Sequence, residues 1–265
     1  MNNHFAPRVG GVLSADIAVP KHEREVRFYS RVLSTGEKPL WREDDLMNNL
    51  GVSIIGLGMR SEEYMNLPLH WMPHIQVADV SASVQRTLDL GGSELMQHRD
   101  DQGKSQWAVL RDPNGAAFGI IPVIPSEAIP ASVEASSIDA VTVGRIYWVD
   151  LTVSYAINTR NFYRQVIGWS VHEVGMEDGG EHYADYNMLD EHGRPVAGVC
   201  HARGVNVGLP PVWLIYLPVG DLEESLRRVA DEDGKVLKIM KRDDEEIEYA
   251  VIEDPVGACL ALCPA

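Results

Sequence analysis

The chain has 265 residues, 45% of them hydrophobic and 23% charged, with a formal net charge of −16. That is an ordinary globular composition, and the negative balance opposes non-specific nucleic-acid binding, which runs on phosphate neutralisation. No apolar run approaches the ~20 residues that span a bilayer, and the start, MNNHFAPRVGG, lacks a signal peptide's basic and apolar regions, so neither nucleic acid nor membrane is an expected partner and a cytoplasmic location is expected.

Val12–Val19 reads as a strand and Lys21–Leu33 as a helix, with Val26, Tyr29, Val32 and Leu33 at helical spacing. Short strands follow through Met59, GVSIIGLGM the most apolar. Trp71–Val77 opens a second unit as a strand. Asp79 is placed to cap a helix Val80–Leu90, and Gly91-Gly92 to stop it. Strands are then expected at Ser93–Gln97, Gln106–Arg111 and Ala116–Pro122. Residues 122–145 are rich in Pro, Ser and Ala and read as a linker. This divides the chain into 1–122, a 123–144 linker, and 145–265.

The pattern then repeats. Ile146–Val153 is a strand and Ile157–Ile167 a helix stopped by Gly168. Strands follow near Ser170–Val174, Tyr183–Leu189, Val196–His201 and Val212–Val219. A helix Asp221–Asp231 and strands Val236–Lys241, Glu248–Glu253 and Ala258–Leu262 finish the chain. The segments WAVLRDPNGAAFGI and YAVIEDPVGACLAL each place an Asp-Pro-x-Gly turn between apolar strands. Asp112, Pro113 and Gly115 map onto Asp254, Pro255 and Gly257 at an offset of 142, while Asp16, Phe28 and Tyr29 map onto Asp150, Phe162 and Tyr163 at 134. Landmarks holding two offsets in order mark an internal repeat. The second half carries eight extra residues, expected in loops around Val174–Arg194.

The paired Phe-Tyr helices, the junctions at Asp79 and Asp221 and the two Asp-Pro-x-Gly hairpins resemble the vicinal oxygen chelate superfamily. That group includes glyoxalase I, bleomycin-resistance proteins and extradiol dioxygenases. The tandem glyoxalase-like branch is the nearer likeness. The resemblance implies an α+β fold of four βαβββ units, paired into two cupped mixed β-sheets with helices outside and a small-molecule site in each cup. It also implies where a metal would be held in metal-using members. The first-strand positions are Ser14, Met72, Trp148 and Leu214, the last-strand positions Gly119 and Ala261, and the last strands of units one and three offer no carboxylate. A catalytic metal needs about three N, O or S ligands, and these six supply one serine hydroxyl. No metal site and no cofactor is therefore expected. Cys200-His201 are neighbours on a strand and point to opposite faces, so they are read as structural. Cys259 and Cys263 would lie roughly 13 Å apart, too far to bridge, and read as buried thiols.

The cup faces still carry chemistry-bearing residues. Two positions beyond the first-strand set come Asp16, His74, Asp150 and Tyr216, each ionisable on an otherwise apolar strand. Asp16 pairs with His74 and Asp150 with Tyr216 if units pair within halves; Asp16 pairs with Tyr216 and His74 with Asp150 if they swap. A carboxylate beside an imidazole suits proton abstraction, and one beside a phenol suits support of an oxyanion. The same residues also fit a hydrogen-bonded core. Ser14, Met72, Trp107, Trp148, Leu214 and Tyr249 would form a greasy wall suited to planar organic ligands. Trp71 and Trp213 have the opposite parity and belong under the helices. Three readings stand: a metal-independent lyase or isomerase, a non-catalytic binder of a drug or metabolite, and a metal-dependent glyoxalase or dioxygenase. The first is preferred, and homo-oligomerisation is left open.

Overall fold

In a computed structural model, residues 7–36, 40–47, 52–125, 143–242 and 244–265 are described. Most of the expected linker, along with Gly51 and Asp243, lies outside them. Unit one is β1 (Val12–Val19), α1 (His22–Val32), β2 (Trp41–Arg42), β3 (Asp45–Met47) and β4 (Ser53–Met59). Unit two is β5 (Met72–Val77), α2 (Val80–Asp89), β6 (Ser93–Arg99), β7 (Ser105–Arg111) and β8 (Ala117–Pro122). Unit three is β9 (Trp148–Val153), α3 (Ala156–Ile167), β10 (Ser170–Asp178), β11 (Glu181–Leu189) and β12 (Pro195–His201). Unit four is β13 (Trp213–Val219), α4 (Leu222–Asp231), β14 (Lys235–Lys241), β15 (Ile247–Glu253) and β16 (Cys259–Pro264).

Units pair within halves. One mixed eight-stranded sheet runs β2-β3-β4-β1-β5-β8-β7-β6 and the other β10-β11-β12-β9-β13-β16-β15-β14. The first strands of each half meet antiparallel at the sheet centre, β1 on β5 and β9 on β13, and each runs parallel to the last strand of its own unit. Local chemistry sets the boundaries. The Asp79 and Asp221 side chains accept from Ala82 N and Glu224 N, capping α2 and α4 as expected, and Gly168 ends α3 in the left-handed region.

The eight extra residues are not in loops. The stretch that carries them is a long hairpin, in which β10 and β11 have nine residues each. The two-residue turn Gly179-Gly180, with φ of 59° and 85°, has the double positive φ that a tight twisted hairpin requires. Gly193, with φ of 73°, sits in the next turn.

The helix-side faces of both sheets share one apolar core, with α1 packed against α4 and α2 against α3. The repeat motifs meet in this core. Trp71 Nε1 donates to the Tyr29 hydroxyl at 3.1 Å, and Tyr29 donates to Asp254 at 2.7 Å. In the other half Trp213 donates to Tyr163 at 2.9 Å, and Tyr163 to Asp112 at 3.3 Å. Each Asp also accepts backbone N–H bonds of its own Asp-Pro-x-Gly turn, so each column joins a helix of one half to a turn of the other. Gly115 (φ 99°) and Gly257 (φ 94°) close those turns. No helix among the described residues is long and apolar enough to cross a membrane.

Candidate functional site in the first cup

The faces turned away from the helices carry the ten residues singled out above. Side chains alternate along a strand, so Ser14 and Asp16 share a face of β1, as do Met72 and His74 on β5. The register places Ser14 opposite His74 and Asp16 opposite Met72. Ser14 Oγ lies 2.9 Å from His74 Nδ1, and His74 Nε2 lies 3.7 Å from Asp16 Oδ2. The cup is open here, since the Asp16 and His74 side chains are 56% and 21% exposed. Asp16 is nonetheless ringed by protein atoms, which pushes its carboxyl above the usual range; His74 opposes that shift, Asp45 adds to it and the Gly56 backbone N–H opposes it.

Asp45, on β3, escaped the sequence reading. Asp16 and Asp45 both pair in register with Gly56, one from each side, and so share the cup face. A Cβ at Gly56 would stand 2.7 Å from Asp16 Oδ1 and 3.0 Å from Asp45 Oδ1. Asp45 sits on a three-residue strand whose register no periodicity announces. Beside the polar corner lies an apolar wall of Leu67, Met72, Val109 and Ala117, with Tyr64, Met96 and Trp107 packed on it. His98 stacks on Trp107 with ring centroids 5.9 Å apart.

The second cup brings its residues together differently. Trp148 Nε1 donates to Asp150 Oδ1 at 2.6 Å, and the Tyr216 hydroxyl donates to Asp150 Oδ2 at 3.1 Å. Burial pushes Asp150 up to about 6 against these two donors, and Tyr249 up to about 12. Tyr216 and Cys200 are pushed above their ordinary ranges by burial and by Asp150. Leu214, Tyr216, Val251 and Ala261 form the wall, with Trp148, Leu209 and Tyr249 against it. Here Asp150 takes two side-chain donors, whereas in the first cup Asp16 stays open to solvent. His201 is anchored to Asp185 by its backbone N–H (2.7 Å) and ring Nδ1 (3.0 Å).

The position beside each inward polar residue is small: Gly56 by Asp16, Gly119 by His74, Gly198 by Asp150, Ala261 by Tyr216. A Cβ at Gly119 would lie 2.5 Å from His74 Cδ2, and one at Gly198 1.9 Å from Asp150 Oδ1. The space a last-strand ligand would occupy is thus filled by the chain's own His74 and Asp150. Among the described residues, no three His, Cys, Asp or Glu side chains are arranged to hold a metal ion. The donor set does not fit the metal that the fold implies.

Residues 14–121 match a family model described as a glyoxalase-like domain. The first half of the chain is thus a glyoxalase-like domain, and the second half repeats its paired βαβββ units. Among curated proteins similar to this chain are the anthracycline biosynthesis proteins DauV of Streptomyces sp. (strain C5) and DnrV of Streptomyces peucetius. DauV is 26% identical over 64% of this chain and 57% of its own length. DnrV is 26% identical over 72% of this chain and 64% of its own length. The alignment thus spans less than two thirds of either relative. A solved variant of homoprotocatechuate 2,3-dioxygenase from B. fuscum superimposes with a TM-score of 0.57 at 13% identity, covering 98% of this chain and 72% of that one. That is a likeness of fold.

Proposed function

We propose that the protein binds a small organic molecule in the first cup and moves a proton on it through His74, as a metal-independent lyase or isomerase. The observation that carries this reading is the Ser14–His74–Asp16 arrangement in an open cup, while its counterpart in the second cup closes on itself. As a base, His74 donates Nδ1–H to Ser14 Oγ and presents the Nε2 lone pair to the ligand. Once Nε2 takes the proton, the nearby Asp16 carboxylate stabilises the imidazolium. Ser14 fixes the ring, and Met72 and Trp107 exclude water from one side of the ligand.

A second reading, a binder that sequesters its ligand without turnover, is favoured by the apolar wall and the His98–Trp107 stack. One experiment separates the two. Anthracyclines and their precursors, suggested by the names of the Streptomyces relatives, form the first panel of ligands. Calorimetry and product analysis are run on wild type and His74→Gln. Turnover lost with binding kept supports the lyase or isomerase. Binding without turnover in the wild type supports the binder. Binding that survives Met72→Asp and Trp107→Ala but not Leu214→Asp would move the site to the second cup and overturn both.

A further inference from the structure

Glu25 lies in the first turn of α1, is fully buried, and neither of its carboxyl oxygens meets a hydrogen-bond donor. An ionised carboxylate there would lose its hydration with nothing in return. Its polar neighbour is another acid, Asp254, which reaches it from the turn between β15 and β16 of the second half. Two adjacent carboxyl groups are compatible only when one carries a proton.

The partners decide which one does. Asp254 accepts from the Tyr29 hydroxyl at 2.7 Å, from Val256 N at 3.0 Å and from Ala258 N at 2.7 Å, so the anion belongs there. Glu25 has no such donors. Lys21, Arg24 and the helix N-terminus favour its anion, but Arg24 is engaged with Asp233 at 2.9 Å. Burial and the Asp254 charge outweigh them and push Glu25 up to about 8. On the same helix Tyr29 is pushed upward and stays neutral; from the second half Cys259 is pushed upward likewise, and Glu253 is paired with Lys235.

The other half shows the contrast. Thr159 stands where Glu25 stands and Asn114 where Val256 stands. Asn114 Nδ2 donates to Thr159 Oγ1 at 2.8 Å, and Thr159 donates to Tyr155 O at 3.1 Å, so no second carboxyl meets Asp112.

We propose that Glu25 is held as a neutral acid donating to Asp254, and that its deprotonation is a pH-sensitive latch loosening α1 of the first half from the second half. The latch ends close to the cup: Asp254 holds Tyr29, Tyr29 holds Trp71, and Trp71 immediately precedes β5, the strand of Met72 and His74.

An acid whose folded pKa is raised stabilises the fold while protonated. That stability falls as pH rises from the unfolded value of 4.5 towards about 8, and is flat above. The test is hydrogen exchange of the Trp71 indole N–H and the α1 amides, corrected for intrinsic exchange, from about pH 6.5 to about pH 8, above the Asp150 titration. In wild type the opening constant should rise by up to about tenfold per pH unit. In Glu25→Gln, whose amide still donates to Asp254, it should be flat. Infrared spectra should show a protonated-carboxyl band that Glu25→Gln lacks. If that variant fails to fold, Glu25→Thr with Val256→Asn copies the other half and carries the same expectation. A wild type without slope or without the band overturns the proposal, as does a variant that keeps the wild-type slope.

Discussion

Gly119→Ala tests whether His74 is held as described. The new Cβ would stand 2.5 Å from His74 Cδ2 and 3.4 Å from Nε2, and real Cβ contacts essentially never fall below 3.0 Å. The imidazole must therefore move. Its Nδ1 is tied to Ser14 Oγ at 2.9 Å, so movement breaks that bond. Overpacking costs roughly 1–3 kcal/mol and the hydrogen bond about 0.5–1.5 kcal/mol. Restricting the unfolded chain returns about 0.4–1 kcal/mol. The net expectation is a loss of about 1–3 kcal/mol. Gly58→Ala is the control, two residues along β4 from Gly56 and so on the same face. Its Cβ would meet only Ile17 O, at 3.7 Å, and its φ is not in the left-handed region. It should be neutral or stabilising by up to about 1 kcal/mol. Urea denaturation gives the stabilities, and nitrogen-15 spectra of the imidazole report the Ser14 bond. Equal stabilities for the two variants, or an unchanged His74 spectrum in Gly119→Ala, would refute the reasoning.

Further outcomes follow from the same geometry. Gly198→Ala drives a Cβ to 1.9 Å from Asp150 Oδ1 against a carboxylate pinned by Trp148, and should cost about 3 kcal/mol or more by denaturant titration. Asp150, raised from 3.8 to about 6, favours the fold in its protonated form, so its contribution falls as pH rises through that window, by roughly 3 kcal/mol in all. Tyr216→Phe removes a donor to the anion, should shift the upper end of the window to higher pH and cost about 1–3 kcal/mol at neutral pH; an unmoved profile contradicts the assignment. Tyr163→Phe takes the shared hydroxyl from Trp213 and Asp112 and should lower stability by about 1–3 kcal/mol, with the indole resonance of Trp213 shifting.

The repeat was legible because its landmarks are geometric necessities. A Pro and a positive-φ Gly code the hairpin, an Asp caps a helix, and a Phe-Tyr pair must fall on a buried helix face. Period-two alternation placed Asp16, His74, Asp150 and Tyr216 inward, and parity sent Trp71 and Trp213 under the helices. Alternation along one strand says nothing about lateral neighbours. Asp45, Gly56 and Gly198 therefore appeared only with the register. Glu25 read as one more polar residue in a helical pattern, because the contact that isolates it comes from a residue 229 positions away.

The two cups show how one scaffold reaches opposite ends from equivalent positions. Ser14 corresponds to Trp148, Asp16 to Asp150, His74 to Tyr216 and Trp107 to Tyr249. In the second cup the indole is long enough to reach along its own strand and donate to Asp150, and the phenol supplies the other donor. The carboxylate is then satisfied and covered beside a packed wall. In the first cup a serine stands where the indole would be. It is too short to reach Asp16 and bonds across the strands to His74 instead. Asp16 keeps one side open to solvent, beside an imidazole that is oriented but not consumed. The exchange of one bulky donor for one small hydroxyl thus separates a cup whose carboxylate is doubly bonded from one whose carboxylate stays open to solvent. Ser14 holds that imidazole, and the bare backbone of Gly119 beside it leaves it room.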